Sequence, residues 1–326
     1  MIEVQDLSKT YRVAQKRPGF KGTISHFFKR QTVDVNAVNQ INFSINPGEI
    51  VGFLGANGAG KTTTLKMLCG LIHPSSGQIR VAGYVPQKLQ TSFLKKISLV
   101  LGQKQQLIWD LPAMDSLRVN AAIYGIPNFE MNKRIKDLGE MLHIGNELKR
   151  PMRKLSLGQR MKMELLAALL HYPKILFLDE PTLGLDINSQ VRVRKFLAEY
   201  NKQTGATILL TSHYMADIKA LCKRVILINK GKLLHDGPLK NLISQLSSSR
   251  SVHLELNQEV TSINSFQKYG LVESIQGRLV KLIVSKKDLT KNVAGILADF
   301  DVNDLEVSEL PIEQLIGELI DRGYIS

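Results

Sequence analysis

The stretch Ile50-Val51-Gly52-Phe53-Leu54-Gly55-Ala56-Asn57-Gly58-Ala59-Gly60-Lys61-Thr62-Thr63 decides the fold. Its first five residues read as a short apolar strand. Gly55 to Thr62 matches the pattern G-x-x-x-x-G-K-[ST] in full. A helix follows from about Lys61 to Cys69 and stops at Gly70. Glycines let the backbone curl until successive N–H groups point inward at phosphate oxygens. The helix N-terminus adds partial positive charge. In such a loop Lys61 reaches the terminal phosphates of a nucleotide, and the Thr62 hydroxyl can ligate Mg²⁺.

A phosphate loop needs an acidic partner for the magnesium. Ile175-Leu176-Phe177-Leu178 is a fully apolar strand, of the kind buried on both faces, and it leads into Asp179-Glu180. Asp179 is placed to hold the magnesium shell, and Glu180 to polarise the attacking water as general base. Thr207–Leu210 and Val225–Ile228 repeat the buried-strand pattern, and Val38–Ile45 reads as another strand. The first 243 residues alternate such runs with helical patterns, which predicts an α/β architecture. Residues 105–172 lack strand-like runs and read as a helical subdomain.

The chain has 326 residues and a net charge of +14, unevenly placed. Ser244 to Ser326 holds 8 Lys+Arg and 12 Asp+Glu, leaving 35 basic and 17 acidic residues in the first 243. That shift, with the serine-rich Ser244–Ser251 as linker, predicts a main domain over 1–243 and an accessory α+β domain over 244–326. In the latter Ser251–Leu256 and Leu279–Val284 read as strands and Ile312–Ile320 as a helix. A basic body points to an anionic partner. No apolar run approaches the roughly 18 residues of a membrane span. The acidic start, Met1-Ile2-Glu3-Val4-Gln5-Asp6, is no secretory signal. Two cysteines, Cys69 and Cys222, make no disulfide framework and read as small buried apolar residues.

Three further motifs fix the type of nucleotidase. Leu155-Ser156-Leu157-Gly158-Gln159 precedes a long helical pattern, Thr182-Leu183-Gly184-Leu185-Asp186 follows the acidic strand, and His213 follows Leu210-Thr211-Ser212. With these, residues 1–240 resemble the ATP-binding cassette family, specifically the nucleotide-binding subunit of a transporter. The resemblance implies a RecA-like core with an antiparallel β subdomain and the helical subdomain. It also implies ATP and Mg²⁺ as cofactors. ATP is then bound by Tyr11 stacking on adenine and by the loop residues Gly55, Asn57, Gly58, Ala59, Gly60, Lys61, Thr62 and Thr63. Gln103 is implied as a ligand of Mg²⁺ and the attacking water, with Gln105 and Gln106 as near competitors. It is preferred because Leu107 and Asp110-Leu111 then fall at the family's offsets. His213 is implied to contact the γ-phosphate and position Glu180. Ser156, Gly158 and Gln159 are implied to meet ATP held by another subunit, and Asp186 to couple the two sites.

One position departs from the family signature Leu-Ser-Gly-Gly-Gln: its third residue is Leu157, which either packs or crowds. One chain of this kind supplies half of each complete site, so the resemblance implies a homodimer around two ATP and a separate polytopic permease. It places the subunit peripherally on the cytoplasmic face of a membrane, with a weak lean towards export. Trp109, Leu111, Pro112 and Met114 offer either the docking surface for that permease or internal core. The basic insert 14–31 carries Lys16, Arg17, Lys21, Lys29 and Arg30, with Phe20, Ile24, Phe27 and Phe28 on one helical face. It suits an anionic lipid surface, or else forms a solvated loop packed on the cassette. The competing reading is a non-transport cassette ATPase acting on nucleic acid or ribosomes; the single uninterrupted cassette speaks against nucleic acid.

Overall fold

The computed structural model describes residues 1–14, 32–102, 106–246, 249–260, 262–310 and 316–317. Gln103 and nearly all of the basic insert lie outside these residues, as does most of the expected helix at Ile312–Ile320.

The chain divides into two compact units, Met1–Gly237 and Pro238–Ser326. The division falls ahead of the expected boundary at 243, and the described ends of the expected linker lie in regular elements. Its first residues complete a helix, Leu239–Leu246, and its last begin a strand, Ser249–Leu256. Leu239 and Leu242, one helical turn apart, are buried, so burial of an apolar stripe overrides the serine composition.

The strands of the first unit are β1 (Ile2–Ala14), β2 (Thr32–Ile45), β3 (Ile50–Leu54), β4 (Ser76–Val81), β5 (Ile97–Leu101), β6 (Ile175–Asp179), β7 (Thr207–Thr211), β8 (Arg224–Asn229) and β9 (Lys232–Pro238). β2, β1 and β4 form an antiparallel sheet. The others form a second sheet in the order β5-β6-β7-β3-β8-β9, parallel from β5 to β8. β6 and β7 are buried at every residue, as the apolar runs Ile175–Leu178 and Ile208–Leu210 require. β8 and β9 are joined by Lys230 and Gly231, both at positive φ, the signature of a tight hairpin turn.

The helix Lys61–Leu68 follows β3, and the helices Ala113–Tyr124, Asn128–Leu142 and Leu157–Leu169 fill the stretch expected to be helical. One core packs residues of the antiparallel sheet, such as Ile2, Ile41 and Ile79, against Phe53, Phe177 and Ile226 of the parallel one. The C-terminal ends of β3, β6 and β7 are adjacent in that sheet, and an open α/β sheet binds ligands at such ends.

The second unit has its own antiparallel sheet. β10 (Ser249–Leu256), β11 (Leu271–Gln276), β12 (Leu279–Ser285) and β13 (Val302–Glu309) lie in the order β11-β12-β10-β13. Val252, Leu254, Val280, Leu282 and Val284 alternate along β10 and β12 and face one core that includes Ile296 of the helix Leu289–Asp299.

Candidate nucleotide site

The phosphate loop runs from the end of β3 into the helix Lys61–Leu68. Gly60 is the N-cap of that helix at φ 108°, and no side chain caps it. A Cβ on Gly60 would lie 2.4 Å from the Ala37 carbonyl oxygen, so only glycine fits between β2 and the helix start. The Lys61 ammonium donates to the carbonyl oxygens of Gly55 at 2.7 Å and Ala56 at 3.1 Å, which centres its charge on the loop. Burial lowers the Lys61 pKa, against the pull of Glu180 and Asp179.

Asp179 closes β6 in register with Thr211 of β7. The Thr62 hydroxyl donates to Asp179 Oδ2 at 2.8 Å and the Thr211 hydroxyl to Asp179 Oδ1 at 2.7 Å. A hydroxyl beside a carboxylate at the phosphate loop is the hard-oxygen donor set that suits Mg²⁺.

Glu180 follows at φ 57°, in the left-handed region that costs a non-glycine residue energy and recurs at active sites. Its N–H donates to both oxygens of Thr211, the hydroxyl at 3.1 Å and the carbonyl at 3.2 Å. The His213 N–H donates to Glu180 Oε2 at 3.1 Å, and His213 Nε2 stands 3.2 Å from Oε1. Oε1 is buried beside His213 Nε2 and takes no hydrogen bond from any other group. Burial raises the Glu180 pKa, partly offset by His213.

These groups share one cleft of 570 Å³, lined by Asn57, Gly58, Ala59, Gly60 and Thr63 together with Lys61, Thr62, Asp179, Glu180 and His213. Tyr11 does not line it. It pairs with Val35 on the hairpin of β1 and β2, near Ala37, which does line it, and Lys9 Nζ lies 5.2 Å over its ring.

Ser156, Gly158, Gln159 and Asp186 do not line the cleft either, and they form a second cluster. Ser156 is the N-cap of Leu157–Leu169 in a reciprocal capping box with Gln159. Asp186 is the N-cap of the helix Ile187–Thr204, accepting from Ser189 N at 2.9 Å and Ser189 Oγ at 2.6 Å. A Cβ on Gly158 would lie 2.5 Å from Ser189 Oγ, so this glycine lets the two helix starts meet. The Leu157 Cδ2 lies over Gly184, and the side chain stays 43% exposed.

Sequence reading missed Thr211, which touches both acids. Its only trace was its place just ahead of His213. It also missed Glu164, buried on the signature helix, whose carboxylate accepts the N–H groups of Gln106 (3.0 Å to Oε2) and Leu107 (3.3 Å). Burial raises its pKa against those two hydrogen bonds.

The family profile described as ABC transporter matches residues 38–183, and that of the EvrA-like ABC transporter C-terminal domain matches 248–308. The bacitracin transport ATP-binding protein BcrA of Bacillus licheniformis is 33% identical over 89% of this chain and 94% of its own. The ABC transporter ATP-binding protein NatA of Bacillus subtilis is 34% identical over 74% of this chain and 97% of its own. The chain belongs to the ABC transporter ATP-binding subunits. A solved ATP-binding subunit of an ABC transporter, 27% identical, superposes with a TM-score of 0.62 over 75% of this chain and 92% of that one. As a member of this family the chain binds and hydrolyses ATP for transport, which sets aside the nucleic-acid reading. Among the described residues no helix is long and apolar enough to cross a membrane.

Proposed function

We propose that two copies of this subunit close head to tail around two ATP molecules and drive export through a separate membrane permease. The carrying observation is the split of the site. One cluster holds Lys61, Asp179, Glu180 and His213 in a cleft, and the other presents two helix N-termini outside it. A second copy supplies the signature cluster to the γ-phosphate, and ATP is the ligand that favours the closed state.

On ATP entry Lys61 exchanges its two carbonyl partners for phosphate oxygens. Thr62 and Asp179 are the residues that would hold Mg²⁺, which supplies neutralisation of phosphate charge. Glu180 takes the proton of the attacking water on its carboxylate, and His213 fixes the orientation of that carboxylate. Ser156 and Gly158 meet the γ-phosphate of the partner copy, and its loss on hydrolysis reopens the dimer.

The permease docks on the segment after Gln103. Ile108, Trp109 and Leu111 are 48%, 41% and 38% exposed there, while Pro112 and Met114 are half-buried. The signature helix holds this segment at two points. Glu164 binds the Gln106 and Leu107 amides, and the Arg160 guanidinium lies 5.0 Å over the Trp109 ring. Movement at the docking surface thereby reaches Ser156. Export follows the family resemblance, and a peripheral place on the cytoplasmic face follows from the permease contact.

The test is Glu180→Gln with ATP, read by light scattering. A stable dimer is expected; a monomer at saturating ATP refutes the head-to-tail reading. Co-purification from native membranes is expected to bring down a polytopic protein that Trp109→Ala releases. Vesicles containing both proteins then assign direction by the side on which cargo accumulates.

A further inference from the structure

Asp217 is fully buried on the helix Met215–Leu221 and does not line the nucleotide cleft. Its Oδ2 accepts from two hydroxyls, those of Thr182 and Ser212, the latter at 2.7 Å. Its Oδ1 accepts from Arg194 at 2.7 Å. Thr182 lies two residues after Glu180, and Ser212 immediately precedes His213. Arg194 belongs to the helix capped by Asp186.

A buried ion pair is a weak source of stability, because removing two charges from water costs about what their attraction returns. Apolar side chains could fill the same space. What they could not do is fix the separation of two loops through one shared acceptor. Glu180 needs such fixing, since its left-handed backbone persists only where the surroundings over-determine it. Thr211 holds it on the N-terminal side and Thr182 anchors the C-terminal side.

We propose that Asp217 is a positioning residue for ATP hydrolysis, its one carboxylate oxygen clamping the loop of Glu180 to the loop of His213. It touches neither nucleotide nor water and acts through Thr182 and Ser212. Because both hydroxyls share Oδ2, displacement of the His213 loop pulls on the Glu180 loop. Through Arg194 it also pulls on the helix that begins at Asp186. The inference rests on Glu180 and His213 acting together in hydrolysis.

The experiment is steady-state ATPase kinetics of the full chain carrying Asp217→Asn, with nucleotide affinity and melting temperature measured on the same sample. The expected result is a kcat about tenfold lower or more, since small misplacements of reacting groups are costly. KM and nucleotide Kd are expected to change less than about twofold, because binding lies with the phosphate loop. Thr182→Val and Ser212→Ala each free one loop and keep the Arg194–Asp217 pair whole, so they test the clamp even where Asp217→Asn does not fold. Each is expected to lower kcat, and the pair to lower it less than the product of the two losses, because either release opens the same clamp. Unchanged kcat in the variants that fold overturns the proposal. So does a melting temperature that falls while kcat per folded molecule stays put, and so do losses that multiply. Loss of activity in Glu180→Gln alone, with these variants normal, would sink the clamp and spare the assignment of Glu180.

Discussion

The cleft and the signature cluster are built in opposite ways. In the cleft the acids stand at the end of a buried strand, and their bonds run between distant stretches of chain, as from Asp179 to Thr62 and Thr211. In the signature cluster the caps bond within their own helix turns, Ser156 to Gln159 and Asp186 to Ser189. The cleft is therefore preorganised by tertiary structure, and on the proposed reading it binds nucleotide within one subunit. The signature cluster is self-satisfied at its caps, and on the proposed reading it becomes a phosphate site only against another subunit's nucleotide.

The strongest challenge to this contrast is Glu180→Gln. A general base contributes about 10²–10⁴-fold, so ATPase turnover should fall by about 10³ while ATP affinity holds. Residual turnover within tenfold of the natural chain would move the base elsewhere in the cleft. Ser156→Ala comes next. It should cost about tenfold in kcat through a lost bond to charged phosphate, and about 1 kcal/mol of stability through a lost cap. ATP binding to the separate subunit should stay intact; weaker monomer binding would join the two regions into one site and break the comparison.

A pH profile sharpens the cleft side. Burial raises the Glu180 pKa, and a base works only when ionised. The acid limb of kcat should therefore lie above pH 4.5, the ordinary carboxylate value, with activity lost as pH falls through it. Glu180→Gln should abolish that limb in whatever turnover remains. The smallest effect belongs to Leu157→Gly. Its side chain is 43% exposed, so the loss of stability should stay near the roughly 1 kcal/mol of a glycine in a helix. A change in ATP-driven dimerisation larger than that would show that Leu157 reaches the partner copy.

Much of this molecule can be read along the chain, because its signals are local. The G-x-x-x-x-G-K-[ST] spacing, the apolar runs of β3, β6, β7 and β8, and the acids that end β6 each need only a few consecutive residues to be recognised. The serine-rich stretch shows the limit of such signals: composition suggested a linker, while its first residues end the helix Leu239–Leu246 and its last begin the strand Ser249–Leu256. What needed the folded chain was every bond between stretches far apart in sequence. The register of Asp179 against Thr211, the shared acceptor of Thr182 and Ser212 on Asp217, and the grip of Glu164 on Gln106 leave no local pattern. A buried carboxylate looks the same in sequence as a solvated one, and only packing shows which donors surround it. Local chemistry thus determines which residues can cradle phosphate, and strand order and burial determine which of them are held in place to use it.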